Sequence, residues 1–200
     1  MSKSTPVYAW HFLPKNRRLS NDDGRLVIPG KRLSLRGEVV LCSHGLHASE
    51  RPLDALKYAP SAIVQRVKMH GTVIHGDDKL VASSRTCLWI ADATMVLHEF
   101  ACLCAEDALA LSPNPDPRSV NAIAVKRAWM RGEATDNELA AAWAAAWDAA
   151  RDAAWDAAWA AARAAARDAA RDAAWAAAWA AQNTRLHTMF MALAPEGYSE

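Results

Sequence analysis

KLVASSRTCLWIADATMVLHEFACLCAEDALAL, residues 79–111, contains a change of hydrophobic period that divides the chain. Lys79 to Ile90 reads as a strand. From Asp92 the apolar positions Val96, Leu97, Phe100, Cys104, Ala108 and Leu111 fall at about 3.6-residue spacing, the mark of a helix. Pro113-Asn-Pro-Asp-Pro117 then stops that helix, because proline removes a backbone donor and its ring clashes with the preceding turn. The expected fold class is α+β: a small mixed or antiparallel β-rich domain over 1–91, then an all-α region over 92–200.

Upstream, Val7 to Leu13 is an apolar-aromatic strand ended by Pro14, and Asn21-Asp22-Asp23-Gly24 is a turn. Arg25 to Ile28 and Lys31 to Leu35 flank Pro29-Gly30 and suggest a hairpin, while Glu38 to Cys42 is a further β-type run. Leu53, Leu56 and Tyr58 sit at helical spacing in a short helix closed by Pro60, and Ile63 to Ile74 alternates like a strand.

Downstream, helices are expected over about 92–111, 118–131 and 136–193. The second ends at Gly132, and the third opens on Thr135 with Glu138 three residues later, a capping box. Between Ala140 and Ala181 stand 27 Ala, six Trp, five Asp and four Arg with no Gly or Pro. Alanine is the strongest helix former, so one very long Ala/Trp-rich helix is expected, about 63 Å for this tract alone. Its large side chains recur every fourth residue, so the stripe drifts about 40° per step and no straight apolar face forms. That excludes an interfacial membrane helix. Six exposed indoles, each able to bury about 150–250 Å², suggest that Trp143, Trp147, Trp155, Trp159, Trp175 and Trp179 assemble the chain into a homo-oligomer.

The 200 residues carry 23 Lys+Arg against 22 Asp+Glu, a formal +1. So balanced a charge argues against long nucleic acid or an anionic membrane as partner. No apolar run reaches the ~18 residues of a membrane span, and no secretory start precedes the scattered Cys42, Cys87, Cys102 and Cys104, so a cytoplasmic location is expected.

The densest polar cluster is Leu41-Cys42-Ser43-His44-Gly45-Leu46-His47-Ala48-Ser49. Cys42, His44 and His47 lack a distant fourth partner for a metal site, so no metal and no cofactor is expected. A turn whose histidines bond the backbone is one reading; a Cys/His nucleophile pair is another. Gly45 supplies a positive-φ turn. His44, His47, Ser49, Arg51, Asp54, Tyr58 and Lys79 form the candidate ligand-binding set, since loops on rigid scaffolds carry binding groups. There is no GxGxxG, P-loop, GxSxG or HExxH, and no catalytic residue is assigned.

Trp10-His11-Phe12-Leu13, the 41–49 cluster, Pro52 to Pro60, Arg66-Val67 and Asp77 to Ser83 resemble a family of bacteriophage and prophage proteins known as a domain of unknown function, over roughly residues 6–100. Phe100 to Leu111, Lys126 to Glu133 and the Gln182-Asn183-x-Arg185-Leu186 tail are similar to an immunity-protein helical domain. The resemblance implies a phage context and names no activity.

The function expected is therefore a non-enzymatic phage accessory protein acting in the host cytoplasm. It would bind or sequester a host component, either a small anionic nucleotide signal or a defence protein. The alternatives are a structural scaffold and an enzyme. The strand Tyr8 to Leu13 carrying His11, followed by the Gly45 to Ser49 turn and its helix, looks like the opening of an ADP-ribosyltransferase fold that handles NAD, with Glu99 as the candidate acid.

Overall fold

The structure, a computed structural model, describes residues 7–20, 23–161 and 168–200, and the side chains outside 150–174. It is α+β, with an antiparallel sheet in the N-terminal half followed by several helices. Its elements are β1 (Val7–Leu13), β2 (Arg32–Ser34), β3 (Leu46–Ala48), α1 (Pro52–Leu56), β4 (Ile63–His75), β5 (Leu80–Asp92), α2 (Thr94–Ala110), α3 (Pro117–Met130), α4 (Asp136–Ala161) and α5 (Asp168–Met191). The chain divides into two compact units, Met1–Thr94 with Ala181–Glu200, and Met95–Ala180. The division expected from sequence placed the tail with the helices, whereas its contacts lie with the sheet.

In the first unit the strands run β1-β4-β5-β2, all antiparallel, with β3 also paired to β5. Trp10 and Ser49 exchange backbone hydrogen bonds of 2.7 and 2.9 Å. The hydrogen-bonded path β1–β4–β5–β3 thereby returns to β1. The expected hairpin between 25–28 and 31–35 does not form. Pro29-Gly30 does turn the chain, with Gly30 at φ +78°, but Arg32–Ser34 then pairs with Ser84–Thr86, leaving Leu26 a single bridge to Arg18. Nor is Glu38 to Cys42 a strand: Val40 makes one bridge to His44 around a tight turn.

Register assigns the faces. His11 stands opposite Gln65 and Ala9 opposite Val67, while Trp10 stands opposite Arg66 and Phe12 opposite Val64. Side chains at paired positions share a face. On the first face Ala9, Ala48, Val67, Met69, Leu80 and Ala82 form one apolar cluster, and Leu13, Val27 and Cys87 a second. Two irregularities, at Arg66/Val67 and His70/Val73, shift the β4–β5 register. Gly71, at φ +75°, serves the second, because a Cβ there would lie 2.2 Å from Ser83 Oγ.

The other face is covered by the end of α5. Phe190 packs 5.3 Å from Trp10 and 5.9 Å from Phe12, His187 lies 5.4 Å from Trp10, and Trp89 meets Trp10 edge-on at 5.7 Å. Trp10, Leu186 and Phe190 are fully buried, and each such aromatic or aliphatic side chain contributes about 1.5–3 kcal/mol. Arg66 lies 4.5 Å from the Trp10 ring and donates to the Glu200 carboxylate through Nε and Nη2.

In the second unit α3 packs on α4. Asp116 caps α3 by accepting the Arg118 N–H at 2.8 Å, and the Thr135/Glu138 capping box forms in both directions at 2.8 and 3.2 Å. Arg127 bridges Glu99 and Glu106 at 2.7 and 2.5 Å. The expected single helix over 136–193 is described as two, of 26 and 24 residues, and the continuity between them falls on 162–167, outside the described residues. Trp143, Trp147 and Trp175 are each about two-thirds exposed, and Trp175 stacks on Trp179 at 5.5 Å. The side chains of Trp155 and Trp159 lie outside the described residues. No described helix is long and apolar enough to cross a membrane.

Candidate functional site

The face of the sheet that bears His11 is lined by residues whose hydrogen-bonding capacity is unequally used. A cavity of about 510 Å³ is bordered by His11 on β1, His44 and His47 around β3, Arg18 and Arg25 from the first loop, and Arg85 on β5. Arg85 is 3 % exposed. Its Nη1 donates to the His47 carbonyl, while Nη2, also buried, has no partner among the described residues. A buried guanidinium without a carboxylate is expensive. Burial foremost, with Arg25 adding to it and Cys87 and Asp23 opposing, brings its pKa down to about 10, still leaving it charged at neutral pH.

The other cations at this cavity are engaged. Arg25 holds Asp23 at 2.5 and 2.7 Å, which keeps that carboxyl below its usual range. Arg18 gives Nη1 to the Gly24 carbonyl at 2.8 Å. Arg85 therefore stands at the cavity wall with a buried N–H that has no partner among the described residues, the arrangement that recognises a carboxylate or phosphoryl oxygen.

The candidate residues read from the sequence are spread over three neighbouring cavities. His44, His47 and Tyr58 line the first; His47, Ser49, Tyr58 and Lys79 line a second of about 240 Å³, with Trp10 and Phe12; Arg51, Asp54 and Lys79 line a third of about 260 Å³. Their polar atoms are largely committed. His44 Nε2 lies 3.0 Å from the Arg36 carbonyl, and His47 Nε2 accepts the Cys42 N–H at 3.1 Å. Burial foremost, then Lys79 and Arg85, lowers the His47 pKa. Ser49 is buried, and its backbone N–H and carbonyl form the bridge to Trp10. Asp54 is clasped by Arg51 at 2.5 Å and Lys57 at 2.9 Å. Tyr58 donates to Asp78 at 2.8 Å, and Lys79 Nζ sits 4.3 Å from the Tyr58 ring centre.

Gly45 makes the turn between these histidines, and at φ +144° a Cβ would lie 2.2 Å from Val81 Cγ2. Cys42 adopts φ +65° and is exposed. Its neighbouring His47 nitrogen is used as an acceptor for its own backbone. Among the described residues no three potential metal ligands converge. Glu99, the acid suggested for an enzymatic reading, is engaged by Arg127 in the second unit. Arg85, Gln65 and the pair Arg18 and Arg25 were missed from the sequence. The available signal was a lone arginine within the Leu80 to Ile90 strand.

Residues 27–99 match the family model described as Domain of unknown function (DUF7666). The DUF7666 span runs from the residues before β2 through β5 into α2 and contains Arg85, His47 and Gln65; β1 with His11 precedes it. Neither the comparison with curated proteins nor that with solved structures gives a match.

Proposed function

We propose that the sheet-bearing unit binds a small phosphorylated ligand of the nucleotide class in the cavity beside Arg85, and holds it without turning it over. The observation that carries this is the unpartnered, buried Nη2 of Arg85. A desolvated guanidinium facing a cavity gains most from an anionic oxygen. The adjoining cavity shares His11, His47 and Tyr58 with the first, and the half-exposed Tyr58 ring supplies aromatic surface for a base. In calorimetric titration of the full chain, at least one of AMP, cyclic AMP, ADP and NAD binds and adenosine does not. Failure of all four to bind overturns this reading.

A second reading is an ADP-ribosyltransferase-like enzyme acting on NAD. It is favoured by His11 on β1 and His47 after the Gly45 turn bordering the same two cavities. Release of nicotinamide from NAD, absent in His11→Ala, tests it.

The setting proposed is a phage accessory protein in the host cytoplasm that sequesters a host nucleotide signal or engages a defence protein. The resemblance of residues 6–100 to phage proteins, and of the helical part to immunity-protein domains, supports this setting. The exposed indoles of Trp143, Trp147 and Trp175 support self-association through the helical unit.

A further inference from the structure

The face of the sheet turned away from Arg85 carries a cross-strand row, Trp10 on β1, Arg66 on β4 and Trp89 on β5, each opposed to the next in register. All three are buried. Arg66 gives Nε and Nη2 to the Glu200 carboxylate, the second at 3.0 Å, and its guanidinium carbon lies 4.5 Å from the Trp10 ring centre. Its Nη1 and the indole N–H groups of Trp10 and Trp89 have no acceptor among the described residues. A row of buried donors with a desolvated guanidinium at its centre requires an anion, because an unmatched buried charge is strongly unfavourable.

The segment that supplies this anion is held by little else. Apart from the pair with Arg66, the hydrogen bonds of residues 195–200 are internal: the Tyr198 N–H donates to the Pro195 carbonyl at 3.1 Å, and the Tyr198 hydroxyl donates to Glu200 at 3.4 Å. The Tyr198 ring stands edge-on to Trp89 at 6.2 Å. Gly197 turns the chain at φ +78°, and the Glu200 side chain is 30 % exposed. The surrounding charges favour an acidic group here. Lys68 lies 5.2 Å from the Tyr8 ring that Arg66 also approaches, while His187 is kept neutral at neutral pH by burial first and then by Arg66.

We infer that the Trp10–Arg66–Trp89 row is a docking site for a peptide segment bearing an acidic residue two positions after an aromatic one, and that Tyr198-Ser199-Glu200 fills it in cis. A partner segment of this pattern replaces one ion pair and one ring contact with their equivalents. The tethered segment competes through its effective concentration, of millimolar order for a short link, so it masks the site from weaker partners. The site is on the opposite face from the cavity beside Arg85 and does not depend on the nucleotide reading.

The test titrates the acetylated and amidated peptide Pro-Glu-Gly-Tyr-Ser-Glu, the sequence of residues 195–200, into the full chain as wild type, Glu200→Ala and Glu200→Gln, by calorimetry with a thermal melt of each. Glutamine keeps an oxygen for Arg66 and guards against loss of the fold in the alanine variant. The expected result is binding to the folded variants at least tenfold tighter than to wild type, and no binding of the same peptide carrying Glu200→Gln or Tyr198→Ala. Absence of binding to a variant that still melts cooperatively overturns the inference, as does equal affinity for wild type and variants, or undiminished binding of either altered peptide. Failure of both variants to fold also overturns it, since the segment would then be an integral part of the unit and not an exchangeable occupant.

Discussion

The side-chain oxygen of Asn183 accepts the backbone N–H of Leu53 at 3.1 Å, across 130 residues of sequence. Leu53 lies in the first turn of α1, whose N-cap residue Arg51 accepts no backbone N–H with its side chain. A helix start needs acceptors for its first N–H groups, and here the acceptor arrives from α5. Asn183→Ala is expected to destabilise the sheet-bearing unit by about 1–2 kcal/mol, read by urea denaturation, and Asn183→Asp to retain most of that stability. Equal stability of the alanine variant and wild type would show the cap to be without energetic weight.

A glycine requirement gives the second expectation. At Gly45 any Cβ meets Val81 Cγ2 at 2.2 Å and must adopt φ +144°. Gly45→Ala should cost about 2–4 kcal/mol from strain and overpacking together, whereas Gly24→Ala, where nothing lies within 4 Å, should cost only its backbone strain of about 1 kcal/mol. Thermal melts of the two variants compare them.

Histidine ionisation sets a pH dependence. Folding lowers the His11 pKa through burial, Arg85 and His47, so as the pH falls the unfolded chain takes up the proton first. Stability from this group is complete above about pH 6.5, the unfolded value, and declines below it by up to about 1.4 kcal/mol per pH unit. His47, His70, His98 and His187 are shifted the same way, each by burial first. The readout is therefore the difference between wild type and His11→Gln, whose decline from pH 7 to pH 5.5 should be shallower. Parallel curves would contradict the assignment of His11 as a neutral group.

Self-association through the helical unit predicts that the chain elutes above its monomer mass in light scattering at micromolar concentration. Trp143→Ala with Trp147→Ala, both at exposed positions, should shift it toward monomer with unchanged helix content. A wild-type monomer would contradict the proposal.

How far the sequence reached depended on how local each cause was. The β4 and β5 strands, the stop at Pro113 to Pro117 and the Thr135/Glu138 cap are legible because period, proline and capping act within a few residues. The pairing of Lys31 to Leu35 was misassigned because proximity favoured a hairpin, while the strand found a longer and better-buried partner in β5. Arg85 escaped notice because the register shift at Arg66/Val67 breaks the count of inward and outward positions along the strand. Asn183 could not be foreseen as a cap from 130 residues away. The histidines of the 41–49 cluster were legible as a group, but the bonds that commit His44 and His47 to backbone are set by the turn around Gly45.

The claim that Arg85 anchors a phosphorylated ligand is answered by titrating cyclic AMP, AMP and NAD into wild type and Arg85→Met, with thermal denaturation run on both. Methionine fills similar space without the buried charge, and removing a buried charge that lacks a carboxylate often leaves stability equal or higher. The account predicts a variant that melts at or above the wild-type temperature and has lost all nucleotide binding shown by the wild type. Equal binding by the folded variant, or no binding by the wild type to any of the three, would contradict it.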